Sequence, residues 1–118
     1  MNTERILELA DRIEKLPHHS LNNEFKDGPL SYFNMGSWHC GSVACIGGWT
    51  TYLYGDPAID GAVGQVAELL GISEMEAIYL CYPDECDKIY ARITPEDAAK
   101  VLRHLAKTGD VRWSVIEP

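Results

Sequence analysis

A chain of 118 residues, 46% hydrophobic and 24% charged, is long enough to bury one core and too apolar for the disordered class, so we predict a single globular domain over residues 1–118. No apolar run approaches the roughly 20 residues that span a bilayer, and the first residues lack the basic and apolar regions of a signal peptide. We therefore expect a cytoplasmic protein with no membrane partner. The net charge of −8 repels phosphate backbones and argues against a nucleic-acid partner.

The N-terminal segment predicts an amphipathic helix. Asn2 or Thr3 can cap this helix, and Pro17 marks its end. Its apolar residues recur three and four positions apart, at Ile6, Leu9, Ala10, Ile13 and Leu16. No period is sustained over residues 18–36, so we predict a long loop there, with a short extended piece at residues 30–35.

Three further helices are predicted in the middle of the chain. The run CIGGWTTYLYG fits a buried helix or a buried strand by its periodicity, and Gly55 followed by Asp-Pro favours a helix that stops there. The next helix ends at Gly71. Its apolar face comprises Ile59, Val63, Val66, Ala67 and Leu70. Ser73 and Glu76 form a capping box that opens another helix, and Pro83 ends it.

The C-terminal part predicts a fifth helix and a short tail. Thr94 is the N-cap, Pro95 takes the first helical position, and Gly109 follows the last turn. We expect the tail VRWSVI to be extended and to pack on the core through Trp113 and Ile116. The predicted fold class is therefore all-α: a single small domain of about five helices, to which the tail can add a short extended C-terminal segment.

The segment WHCGSVACIGGW, residues 38–49, concentrates two tryptophans, two cysteines, a histidine and three glycines. We favour a structural interpretation, in which the glycines allow close backbone approach, the cysteines act as small hydrophobes, and Trp38 and Trp49 bury large surfaces. Apolar, glycine-rich motifs belong to cores more often than to chemistry. A small-ligand pocket beside the two tryptophans is an alternative.

Metal binding and thiol chemistry are two further alternatives for this segment. The residues that could complete a tetrahedral zinc site are Cys40, Cys45, Cys81, Cys86 and His39. Residues five apart in an α-helix point about 140° away from each other, so such a site requires a loop at residues 40–44. If a helix begins near Ser42, Cys40 lies at its N-terminus, where the helix dipole lowers the pKa of a thiol. The cysteine spacing does not by itself establish a zinc site, and the position of Cys40 does not by itself establish a reactive thiol. We therefore predict reduced thiols, no catalytic residue and no cofactor.

Residues 56–97 carry ten acids and two bases, a balance of −8 that equals the net charge of the whole chain. Three of these acids follow Pro83 in one turn, which we expect to present them to solvent. The predicted binding residues are Asp84, Glu85, Asp87, Trp38 and Trp49. An acidic face steers a protein toward a basic partner surface, and the predicted partner is therefore a protein with such a surface.

The tyrosines offer a second source of binding residues. At their spacings we expect most of them in the core or at its edge, and a subset of them could form a binding patch, because tyrosine is enriched at interfaces. They are Tyr52, Tyr54, Tyr79, Tyr82 and Tyr90.

The amphipathic first helix, the 38–49 segment and the closing ITPEDAAKVLRHLAKTGDVRW resemble a family of small uncharacterised proteins from bacteriophages, prophages and their bacterial hosts. That family shares a tryptophan, then Cys-Gly-Ser/Thr, two variable residues and Cys-Ile-Ala/Gly-Gly-Trp. The matching positions here are Trp38, Cys40, Gly41, Cys45, Gly48 and Trp49, and Gly47 stands where the family often has alanine. The resemblance implies a phage-linked, intracellular setting and no particular activity. Our hypothesis is a phage or prophage accessory factor that docks on a host protein and modulates it.

Overall fold

The computed structural model describes residues 1–19, 29–59, 61–83, 86 and 88–117. Within these ranges the chain forms five α-helices, three two-residue strands and two 3-10 turns. The helices are α1 (Thr3–Glu14), α2 (Ile46–Tyr54), α3 (Val63–Leu70), α4 (Glu74–Cys81) and α5 (Pro95–Thr108). The strands are β1 (Tyr32–Phe33), β2 (His39–Cys40) and β3 (Val43–Ala44), and the 3-10 turns are Tyr90–Arg92 and Trp113–Val115. In these ranges no helix is both long and apolar enough to cross a membrane.

The helix ends follow the local signals of the sequence. The side chain of Asn2 accepts a hydrogen bond from the backbone N–H of Arg5 and caps α1. Capping boxes open α4 and α5 at the predicted serine and threonine. Gly71 and Gly109 end α3 and α5 in the left-handed conformation, at φ +66° and +77°. The prediction of five helices is therefore confirmed.

Three details of the helix predictions are wrong. The third helix begins at Val63, so Ile59 lies before it and is exposed instead of contributing to its buried face. The fourth helix ends at Cys81 and leaves Tyr82 as its C-cap. The tail forms a 3-10 turn in place of the predicted extended segment, although Trp113 and Ile116 are buried as expected. The indole Nε1–H of Trp113 donates to the backbone oxygen of Tyr79 at 2.8 Å, which fixes the tail against α4.

A small sheet in the order β1-β3-β2 makes the fold not purely all-α. Strand β1 runs parallel to β3, with Tyr32 opposite Val43, and β2 runs antiparallel to β3, with His39 opposite Ala44. Gly41 at φ +58° allows the tight turn between β2 and β3. Strands of two residues carry no periodic pattern, so the sequence showed only the extended piece that became β1.

The largest helix contact joins α1 to α5, and the next largest joins α3 to α4. Among the residues buried between these elements are Ile6, Leu9, Ile13, Leu80, Leu102 and Leu105. At the edge of the α1–α5 contact, the guanidinium of Arg103 donates to the carboxylates of Asp11, at 2.9 Å, and Glu14, at 2.5 Å. The hydrogen bond from Arg103 holds the pKa of Glu14 below its ordinary value.

Candidate functional site

The 38–49 segment forms the β2–β3 hairpin and the first turn of α2. Its central residues, Val43 to Ile46, are buried, and Cys45 is the N-cap of α2. Trp49 is only 5% exposed. Its Nε1–H donates to the backbone oxygen of Tyr32 at 3.0 Å and so ties α2 to β1. For this part of the segment the predicted burial is confirmed.

Two glycines of α2 make room for Trp38. A Cβ at Gly47 would overlap ring carbons of the Trp38 indole, and a Cβ at Gly48 would overlap the Trp38 carbonyl oxygen and lie 2.7 Å from the Cβ of Ala44. An alanine at position 47 would therefore displace the indole from its place in this chain. Glycine at both positions lets the segment that leads into β2 lie directly against α2.

Trp38 itself is only partly buried, in contrast to Trp49. Its ring stacks on that of Tyr82, with the centroids 6.3 Å apart and the planes 25° from parallel. Its indole Nε1 is buried and has no hydrogen-bond partner among the described residues. Trp38 is therefore positioned by its ring contacts with Tyr82 and α2, and the prediction that both tryptophans bury large surfaces holds fully only for Trp49.

Helix α4 carries apolar side chains on its solvent face as well as on its core face. Ala77, Leu80 and Cys81 are buried. On the other side, the exposed fractions of Met75, Tyr79 and Tyr82 are 54%, 45% and 41%. Through its stack on Trp38, Tyr82 connects this face to the strand region. We call the set Met75, Tyr79, Tyr82 and Trp38 the α4 surface.

The tyrosine prediction is wrong for three of the five residues. Tyr52, Tyr79 and Tyr82 are exposed, whereas Tyr54 and Tyr90 are partly buried at the core edge. Tyr52 extends the aromatic set at the surface, because its ring meets those of Trp49 and His39 edge-on, at 5.8 and 6.1 Å. The sequence did hold a signal for this surface: in EMEAIYLCY, apolar residues surround the helix instead of following one stripe.

Of the proposed zinc ligands, the structure brings only the Cys45 and Cys81 thiols near each other among the described residues. Cys40 is exposed on β2, Cys86 is partly buried, Cys45 and Cys81 are buried, and no disulfide joins any of the four. In the described part of the chain, no three His, Cys, Asp or Glu side chains lie together in a way that could hold a metal ion. His39 contacts the ring of Tyr52. The geometry therefore gives the zinc alternative no support.

The thiol alternative assumed a helix that begins near Ser42, and this assumption is wrong, because α2 begins at Ile46. The hairpin places Cys40 opposite Val43 in a strand pair, away from any helix N-terminus. The cysteine that precedes α2 is Cys45, whose side chain is buried. Burial raises the pKa of the neighbouring Cys81 thiol well above its ordinary value, and the Cys45 thiol adds to that shift. Both buried cysteines therefore act as small apolar side chains.

The predicted acidic cluster, Asp84, Glu85 and Asp87, lies outside the described residues. Described acids nevertheless border the α4 surface, since Glu74 and Glu76 occupy the first turn of α4.

One of the two bases of residues 56–97 is neutralised, because Lys88 Nζ lies 2.7 Å from a carboxylate oxygen of Asp97. Burial would raise the pKa of Asp97, but hydrogen bonds from Lys88 and from the Thr94 backbone outweigh burial and lower it.

A separate open cavity of about 550 Å³ lies between α1 and α2. It is lined by Glu8, Asp11, Arg12, Lys15, Leu16 and Trp49. Both carboxylates are already engaged, since Asp11 pairs with Arg103 and Glu8 accepts a hydrogen bond from the Tyr54 hydroxyl at 2.6 Å. Trp49 lines this cavity, and Trp38 is not among its lining residues. The alternative of a small-ligand pocket beside the two tryptophans stays a prediction.

Comparisons with protein-family models, curated proteins and solved structures find no match to this chain. Function is therefore argued from the surface chemistry of the chain itself. Among the described residues, the α4 surface gathers three exposed large apolar side chains, Met75, Tyr79 and Tyr82. This is the feature from which a function can be inferred.

Proposed function

We propose that this protein is a small acidic binding protein that docks on a partner protein through the α4 surface and modulates it. The observation that carries the proposal is the exposure of Met75, Tyr79 and Tyr82 on one side of a helix whose other side is in the core. Contiguous apolar patches on a monomer surface mark interaction sites, and tyrosine, tryptophan and methionine are enriched in interfaces. The phage or prophage setting rests on the motif resemblance alone.

The charge distribution supports a basic partner. Residues 56–97 contain α3, α4 and ten acids, and the pairing of Lys88 with Asp97 leaves this part of the chain strongly negative. The predicted binding acids Asp84, Glu85 and Asp87 follow α4 directly in the sequence. An apolar centre with an acidic rim gives affinity through burial and a fast association rate through electrostatic steering.

The test is affinity capture from a bacterial host lysate, followed by purification of the recovered protein and measurement of its binding. The variant Met75→Gln/Tyr79→Gln removes the apolar anchors and keeps helix propensity. The matched control is Leu7→Gln, which removes an equally exposed apolar side chain from α1. We expect the double variant to lose the partner and the control to keep it. Equal binding by all three proteins would contradict the proposal.

A further inference from the structure

We propose that the partner presents a basic amphipathic helix, which lies along α4 and places a lysine or arginine on the Trp38–Tyr82 stack. This inference deepens the proposed function and rests on it. The α4 surface has three properties that support a basic helix as the partner: its shape, its charge and its aromatic rings.

The shape of the α4 surface fits a helix. Met75 and Tyr79 are one turn apart on the same side of α4, and Tyr82 follows at the helix end, so the apolar row spans about 10 Å at 1.5 Å per residue. Rows of side chains on one helix pack into the grooves of another. A partner helix with apolar residues at i, i+3 or i+4, and i+7 supplies a row of the same length.

An extended partner segment fits this surface less well. Strand addition depends on unpaired backbone groups at a sheet edge. In α4 the backbone groups are used within the helix, and the carbonyl of Tyr79 also accepts the hydrogen bond from Trp113. The small sheet nearby has strands of only two residues, too short to template another strand.

The charge around α4 selects a basic helix and disfavours a second copy of this chain. Glu74 and Glu76 lie in the first turn of α4, and Glu68 is exposed on α3, which packs against α4. Each copy carries a formal net charge of −8. Self-association would bring these like charges together, whereas lysine or arginine beside the apolar residues of a partner would be attracted to them.

The Trp38–Tyr82 stack provides a site for one of those cations. A lysine or arginine within about 6 Å of an aromatic centroid is attracted to the ring face, most strongly for tryptophan. Tyr82 is exposed at the end of the apolar row, and its ring is held parallel to the Trp38 indole. A cation one turn beyond the apolar residues of the partner helix would therefore reach this stack.

The experiment uses a fluorescent synthetic peptide with leucine along one face and lysine along the other, about 18 residues long, which is five helical turns. Binding is measured by fluorescence anisotropy against the full chain. Three peptides serve as controls: a scrambled sequence of the same composition, an alternating Leu-Lys sequence that favours a strand, and a leucine peptide with glutamate in place of lysine. We expect the helical lysine peptide to bind about tenfold or more tightly than each of them, the ratio expected from one well-packed anchor.

The variants assign the binding to the α4 surface. We expect Met75→Gln/Tyr79→Gln to weaken binding of the helical lysine peptide about tenfold. The variant Tyr82→Leu keeps an apolar group and removes the ring, and it should weaken binding of this peptide severalfold. Leu7→Gln should leave binding unchanged. Equal binding of the helical and scrambled peptides, or unchanged binding by the double variant, would show unspecific charge attraction and overturn the proposal.

Two further outcomes also overturn it. Tighter binding of the alternating peptide would identify an extended partner. Dimerisation of the chain alone in analytical ultracentrifugation, abolished by Met75→Gln/Tyr79→Gln, would identify a second copy as the occupant. The lysate capture separates this inference from the proposed function. If capture of the partner depends on Met75 and Tyr79 but the helical peptide fails to bind, the proposed docking through the α4 surface stands and the proposal of a helical partner is wrong. If capture does not depend on these two residues, the proposed docking itself is wrong.

Discussion

The backbone oxygen of Trp38 occupies the space that a side chain at Gly48 would need. This close approach joins Trp38, which precedes β2, to the first turn of α2. It explains why a glycine lies inside a buried helix, where glycine otherwise costs stability. The close approach also sets the position of the Trp38 ring, which lies over Gly47 and stacks on Tyr82.

We expect Gly48→Ala to destabilise the protein by about 2 kcal/mol or more, because the new Cβ meets backbone that cannot move aside without opening the β2–α2 contact. The matched control is Gly64→Ala in α3, where a Cβ would meet no atom of the described residues within 4 Å. That change should stabilise the protein by up to about 1 kcal/mol. Urea unfolding of both variants measures the difference, and similar midpoints for the two would contradict the close approach.

Replacing Trp49 with alanine should cost about 3–5 kcal/mol, because it empties the space of a buried indole and removes the hydrogen bond to Tyr32. The variant Trp49→Phe keeps most of the apolar contact and should cost less. Thermal unfolding checks both. An alanine variant that melts within about two degrees of the wild type would show that Trp49 contributes no packing.

The ion pair between Arg103 and Glu14 should make stability depend on pH. The pKa of Glu14 is lowered in the folded state, so its contribution is complete above the ordinary value of 4.5 and is lost as the pH falls through the lowered value. We therefore expect the difference in urea midpoint between wild type and Glu14→Gln to shrink below pH 4.5. In an Arg103→Gln background this pH dependence should disappear, and its persistence would assign it to another group.

The four cysteines should differ in reactivity in the order of their exposure. Under native conditions we expect a thiol reagent to modify Cys40 first and Cys86 more slowly, and to reach Cys45 and Cys81 only after unfolding. Mass spectrometry after alkylation reads each site. An intact mass four hydrogens below that of the free-thiol chain would instead show two disulfides.

Neutralising the acidic cluster with Asp84→Asn/Glu85→Gln/Asp87→Asn should leave the fold intact, since charges expected to lie in solvent seldom hold a domain together. It should slow association with the basic partner and flatten the salt dependence of the association rate. Stopped-flow or surface-binding kinetics with the captured partner measure both effects. The control Cys40→Ser should bind normally. Loss of partner modulation in a folded Cys40→Ser variant, with the acidic variant unaffected, would move the function to the thiol.

Local sequence signals predicted the helices because the forces that begin and end a helix act within a few residues. Asn2, the capping boxes and Gly71 all lie at helix ends in the structure as they do in the sequence pattern. The sheet escaped prediction because its pairing joins β1 to β3 across ten intervening positions and lasts two residues per strand. Neither the pairing nor its register leaves a local pattern.

By itself, the sequence determined the five helices, their capping residues, the buried positions of Trp49 and Cys45 in the glycine-rich segment, and the acidity of the middle of the chain. Only the tertiary structure decided which apolar residues remain in solvent. In EMEAIYLCY apolar residues lie on every side of the helix, so composition cannot tell that Leu80 is buried and Tyr79 is exposed. Packing against α3 and the C-terminal tail covers one side of α4 and leaves Met75, Tyr79 and Tyr82 exposed, because a helix in a small domain can bury only the face that its neighbours reach.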